Sequence, residues 1–252
     1  MPVSPESSRL APRTIKAGNR GPFTLDGTRT FLVGRGEVGV IDPGPDVERH
    51  VRALISSLSG SSQVQILLTH HHGDHAGAAQ GLSRALDAPV YGPPSTGCRP
   101  LEPGQSIHTD EGELLAVPTP GHTRDHLSLY WKDAQALFVG DLLLGRGSTT
   151  WLGEYDGCVA DYLDSLDRVE ALAPQLIYPA HGNPIRKVGP AIEAFREHRL
   201  RRLRQLRRAR EAHPEAPTGT LLEMVYGKRL PERLLKAAEA SIRVMLHHLD
   251  ER

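Results

Sequence analysis

The chain has 252 residues, enough for one sizeable buried core or one large domain with a small appendage. Lysine plus arginine and aspartate plus glutamate each number 30, so the formal net charge is zero and global charge does not call for a polyanionic partner. Two cysteines, Cys98 and Cys158, are too few for a disulfide framework and are read as ordinary thiols of a cytoplasmic protein. The opening residues lack the apolar run of a secretory signal, and no stretch approaches the ~20 apolar residues that span a bilayer. No membrane partner is expected.

In chain order, residues 1–20 read as a polar lead-in. From Thr28 the text alternates strand and turn, TRTFLVG then VGVIDPGPD, punctuated by glycine and proline. Asp46 caps a predicted helix over VERHVRALISSLS, where Val47, Val51, Leu54 and Ile55 recur at helical spacing. VQILLT is a short strand that runs into HHHGDHAGAAQGLSRAL, whose later part reads as a helix. Then come PVYGP, a Gly/Pro-rich loop over 93–104, and the strands ELLAVPTPG, LSLYW and ALFVGD. DYLDSLDRVEALA is an amphipathic helix, and QLIYPAHG is a last strand. This order suits a layered α/β architecture. The character changes near residues 187–190. A long Arg-rich helix follows, GPAIEAFREHRLRRLRQLRRAREAHPE, and then two or three short helices. We therefore expect a catalytic domain over 1–188 and a helical module over 189–252.

Thirteen histidines are many for this length, and several cluster. Thr69-His70-His71-His72-Gly73-Asp74-His75 follows a strand, so one turn delivers imidazoles and a carboxylate into one space. Such N/O donors suit zinc and its neighbours. Three further motifs each end a predicted strand with a ligand-type residue flanked by glycine or proline: His122 in PTPGHT, Asp141 in FVGD and His181 in YPAHG. His71 is read as a spacer and His126 as a structural residue. His50, His108, His198, His213, His247 and His248 are read as surface or packing residues. Asp42, in VIDPG, is either a hydrogen-bond partner that orients a ligating histidine or an ordinary turn residue. There is no GxSxG and no need for a serine triad.

The ordered set HxHxDH, PGHT, GD and PAHG resembles the metallo-β-lactamase-fold hydrolases. The resemblance implies a four-layer αββα sandwich. It also implies His70, His72 and His122 on one metal, Asp74, His75 and His181 on a second, and Asp141 between them. Two divalent ions, zinc or else iron or manganese, would share a hydroxide that attacks a carbonyl carbon or phosphorus, with Asp74 orienting it or taking its proton. Within that superfamily the chain is most similar to the β-lactamase-like-2 branch, which includes an endoribonuclease. GPFTLDGTRTFLVG, VIDPGPD, TPGHTRDHLSLY, FVGDLLLGRGSTT and IYPAHGNPI carry this likeness, as does a tail that looks like a winged-helix module with little or no wing. Arg29, Phe31, Arg146 and Ser148 depart from the branch pattern at the cavity rim and put substrate choice in question.

Three functions follow from different classes. One is cleavage of single-stranded RNA, with Arg196, Arg199, Arg201, Arg202, Arg204, Arg207, Arg208 and Arg210 on phosphates. Against it, Glu193, Glu197 and Glu211 lace that helix, and Leu200, Leu203 and Leu206 show that it packs. The second is hydrolysis of a small acyl thioester or lactone, as in glyoxalase-II-like relatives. The third is nucleic-acid binding with purely structural metals, which a seven-ligand set open to water disfavours. An Arg/Leu helix with a small module attached also suits docking on a second copy as a homodimer.

Overall fold

The computed structural model describes residues 10–251. Its first sheet holds β1 (Arg13–Lys16), β2 (Arg29–Val33), β3 (Glu37–Ile41), β4 (Gln63–Leu67), β5 (Val90–Gly92) and β6 (Arg99–Pro100), in that order. The second holds β7 (Ser106–Thr109), β8 (Gly112–Pro118), β9 (Leu127–Trp131), β10 (Ala136–Phe138) and β11 (Leu176–Tyr178), also in chain order. The lead-in is thus not wholly a tail. Arg13–Lys16 pairs antiparallel with β2 as an edge strand, and its half-exposed polar alternation hid it. The loop after Pro93 likewise contains β6, and β7 follows it.

Side chains alternate between the faces of each strand and so separate the layers. Phe31, Val33, Ile41 and Leu67 from one sheet meet Leu114, Leu129, Trp131 and Phe138 from the other in a central core. Leu32, Val38, Val40 and Ile66 face outward, against Leu54 of α1 (Glu48–Ser57) and Leu82 of α3 (Ala79–Leu86). A one-turn helix, α2 (Gly73–Ala76), lies between β4 and α3. On the other side Leu137 and Ile177 meet Tyr162, Leu166 and Val169 of α4 (Cys158–Leu172). The result is helix, sheet, sheet, helix, the four layers anticipated above.

The chain after β11 is helical: α5 (Val188–Ala212), α6 (Thr218–Tyr226) and α7 (Glu232–Asp250). At 19 residues, α7 is not the short helix expected. Ile192, Phe195, Leu203 and Leu206 of α5 join the same apolar cluster as α4, and so do Ile242, Val244 and Met245 of α7. Among the described residues no strand follows β11, so no wing is present there. Among the described residues no helix is long and apolar enough to cross a membrane.

Candidate metal centre

Strand direction gathers the site. β3 and β4 are parallel, and β10 and β11 are parallel. β8 runs antiparallel to β9, and β9 to β10, so β8 and β10 point the same way. Asp42, His70, His122, Asp141 and His181 all lie just past the C-terminal ends of these strands. In the register of β10 and β11, Phe138 sits opposite Tyr178, and their rings stack at 5.2 Å. Asp141 and His181 each follow by three residues, so they emerge side by side from a rigid base.

Two groups of donors converge, each with its ligand atoms within 4.8 Å of one another: His70, His72 and His122, and Asp74, His75 and His181. Asp141 stands between them. Its Oδ1 is 3.2 Å from His181 Nε2 and 3.5 Å from His75 Nε2, and its Oδ2 is 3.6 Å from His122 Nε2. Asp74 Oδ2 is 3.2 Å from His181 Nε2. The structure therefore brings together all seven residues that the motifs singled out. His71 belongs to neither group.

The hydrogen bonds fix which nitrogen of each ring carries its proton. The carboxylate of Asp42 is 1% exposed and can only accept. Its Oδ1 takes the Thr69 backbone N–H at 2.8 Å, and its Oδ2 takes the Thr69 hydroxyl at 2.7 Å and His75 Nδ1–H at 2.9 Å. Because Thr69 Oγ1 donates to Asp42, it accepts from His70 Nδ1–H at 2.9 Å. His122 Nδ1–H donates to the carbonyl of Trp151 at 3.0 Å. His70 and His122 thereby donate from Nδ1 and turn Nε2 inward. At His75, which also donates from Nδ1, burial acts downward, but the Asp141 and Asp42 carboxylates outweigh it and favour the charged ring until a cation displaces the Nε2 proton. Asp42 thus accepts three hydrogen bonds, one of them from His75, although its carboxylate also lies within 4.8 Å of ligand-type nitrogens of His70 and His75. It adopts φ 48°, a left-handed conformation tolerated by few residues, which turns its side chain back over the site.

What remains is a set of buried donors with nothing to bind. Nε2 of His70, His75 and His181 and Oδ1 of Asp141 are buried and lack a well-formed hydrogen bond. Buried polar groups are rarely left so, and their shared orientation fits cations. Burial pushes His70 and His122 toward their neutral forms, as ligation requires. For Asp74 and Asp141 burial acts upward, but the neighbouring histidines outweigh it and hold both carboxyls below their usual range.

Two further residues support the donors, and of these only Glu154 lay outside every motif. Glu154 Oε2 lies 3.3 Å from Nε2 of His72, whose Nδ1 faces His122 at 3.0 Å. His126, read as structural, accepts the backbone N–H of Asp141 on Nε2 at 3.4 Å and donates from Nδ1 to Thr119. His50, expected among surface or packing residues, is 3% exposed and faces the carbonyl of Pro43 at 3.0 Å. Gly140, at φ 47°, separates these networks. A Cβ there would lie 2.6 Å from Thr69 Oγ1 and 2.7 Å from His126 Nε2.

The centre opens on a cavity of about 690 Å³ bordered by His72, His122 and Asp141. Its walls are mainly apolar: Phe23, Leu144 and Trp151 line it, together with Tyr226, Leu230 and Leu234 of the helical tail.

Fold, strand-end histidines and paired carboxylates together define a metallohydrolase. Residues 24–106 and 99–181 match the metallo-beta-lactamase superfamily, and the chain belongs to that superfamily. It is a hydrolase of that fold. It is 34% identical over 249 residues to the beta-lactamase-like protein 2 homolog of Caenorhabditis elegans, covering 93% of this chain and 82% of that one. A β-lactamase domain protein from Burkholderia ambifaria shares the fold with a TM-score of 0.82 at 23% identity, over 95% of this chain and 86% of that one. TTHA1623, solved in a di-iron-bound form, is 31% identical with a TM-score of 0.55, over 71% of this chain and 96% of its own.

Proposed function

We propose that the chain is a dinuclear hydrolase acting on a small acyl substrate, a thioester or lactone. His70, His72 and His122 would hold one divalent cation, Asp74, His75 and His181 the other, and Asp141 would face both. The donor set of five imidazoles and two carboxylates, with no thiolate, suits zinc, and iron is the alternative that TTHA1623 raises. Two bound cations supply Lewis acidity and a water acidified toward neutral pH. The protein's own part is to fix ring tautomers through Asp42, Thr69 and Trp151. Asp74 adds a carboxylate at the cavity floor, placed to orient a nucleophile or accept its proton.

The observation that carries this reading is the cavity. Its volume falls in the range of small-molecule sites, and its apolar walls match an acyl group better than nucleotides. The Arg-rich helix points the same way. Arg196 is held by Asp167, Glu170 and Glu193, Arg204 by Glu197, and Arg210 by Asp250. Arg202 donates to the carbonyl of Val225, Arg201 to His198, and Arg199 is buried. Among the described residues only Arg207 and Arg208 of the eight lack a protein partner, a thin basis for a phosphate track. Purely structural metals are disfavoured because the donors border an open cavity.

A panel of acyl thioesters, lactones and single-stranded RNA, run on zinc- and iron-loaded protein, tests the assignment. Thioester or lactone turnover abolished by chelator is expected. RNA cleavage without acyl turnover would replace this reading with the endoribonuclease one.

A further inference from the structure

We propose that Arg199 forms an anion-binding subsite in the cavity wall, so that the acyl group of the substrate carries an oxyanion, a carboxylate or a phosphate. The inference rests on the cavity being the substrate site.

Arg199 lies on the buried stripe of α5 with Ile192, Phe195, Leu203 and Leu206, and is only 4% exposed. A buried ion normally needs a partner charge, because taking it out of water costs several kcal/mol. Among the described residues, no carboxylate lies within 4.0 Å of this guanidinium. One of its five N–H groups has a protein acceptor: Nη2 donates to the carbonyl of Thr150 at 2.9 Å. The side chain otherwise lies over the ring of Tyr162, 5.7 Å from its centroid, and Nε is buried with no partner. Three residues earlier, the far more accessible Arg196 is matched by three acids. The helix therefore leaves its most buried cation without a carboxylate, while Arg207 and Arg208, which also lack one, are exposed to water.

Arg199 borders the same cavity as His72, His122 and Asp141. Thr150 ties the two ends together. Its carbonyl holds Arg199, and its hydroxyl donates to the backbone carbonyl of Asp141 at 2.6 Å. A substrate with its reacting carbonyl at the metal donors would lay its apolar chain along the wall and bring an oxyanion to the guanidinium fork. That fork suits planar or bidentate oxyanions, and a charge-assisted bond gains strength in a water-poor pocket.

The test uses metal-loaded full-length protein and matched probes: the glutaryl and valeryl thioesters of N-acetylcysteamine, equal in length and differing in the terminal carboxylate. Their ketone analogues, with CH2 in place of the sulfur, report binding without turnover, and a 4-phosphonobutyryl analogue separates phosphate-type from carboxylate recognition. Calorimetry should show one of the anionic analogues binding about tenfold or more tighter than the valeryl one. In Arg199→Met that ratio should fall to about one, with Arg199→Gln serving if the Met variant does not fold. A wild-type ratio near one for both anionic analogues overturns the proposal, as does an unchanged ratio in a folded variant. Lack of turnover of both thioesters and of the lactones of the panel would refute the acyl-hydrolase reading, while the binding ratio still decides Arg199.

Discussion

Replacing Asp42 with asparagine changes one atom in a buried network and has a derivable outcome. The carboxylate accepts three hydrogen bonds, one on Oδ1 from the Thr69 amide and two on Oδ2 from the Thr69 hydroxyl and His75 Nδ1. An amide can present oxygen to only one of these sides. If its NH2 faces the Thr69 amide, two donors collide. If it faces His75, that ring must release the Nδ1 proton and carry it on Nε2, where the lone pair is needed. Either arrangement leaves a buried group mispaired, at a cost of about 1–3 kcal/mol. Orienting partners of this kind are worth roughly 10–100-fold in metal affinity. We expect Asp42→Asn to fold, to melt somewhat lower, and to lose one of its two cations about 10–100-fold more readily in a chelator competition. Metal content by plasma mass spectrometry at each chelator concentration gives the stoichiometry. If the variant holds two cations with wild-type affinity, the tautomer argument is wrong.

Gly140→Ala should abolish hydrolysis and weaken metal retention. Its Cβ would intrude on Thr69 Oγ1 and His126 Nε2 from a left-handed backbone; a soluble variant with wild-type turnover would show that the turn can relax. Leu129→Ala, at a fully buried position of the central core, should cost about 2–5 kcal/mol and lower the denaturant midpoint with little change in slope. Cys158 is buried, and burial pushes its thiol up to about 11, so at pH 8 a thiol reagent should modify the partly exposed Cys98 and reach Cys158 only on unfolding. Two fast-reacting thiols in the native protein would contradict this. Because the unfolded thiol ionises near its ordinary 9.0, the contribution of Cys158 to stability is complete below that pH. It declines as pH rises from 9.0 toward about 11, which alkaline melts of Cys158→Ser against wild type would register as a convergence of the two curves.

The converging histidines and aspartates were legible in the sequence because each is announced locally. A strand must end before its backbone can turn, and the glycines and prolines beside His122, Asp141 and His181 mark those ends without any knowledge of the fold. The alternation of Leu127, Leu129 and Trp131 announces a half-core strand for the same local reason. Asp42 was ambiguous because its role depends on Thr69 and His75, 27 and 33 residues away. Glu154 meets His72 across 82 positions and lies in no motif. Arg199 was read as one phosphate-facing arginine among eight, although its place in the stripe of Ile192, Phe195, Leu203 and Leu206 carried a signal of its own. Periodicity shows that a cation falls on the apolar face of a helix, but not which surface that face covers. Only packing α5 against α4, and closing α6 and α7 over the strand ends, determines that this buried guanidinium lacks a carboxylate and borders the cavity at the metal donors. Local chain stereochemistry could specify the ligands; the shape and charge of what surrounds them arise from contacts between segments far apart in the chain.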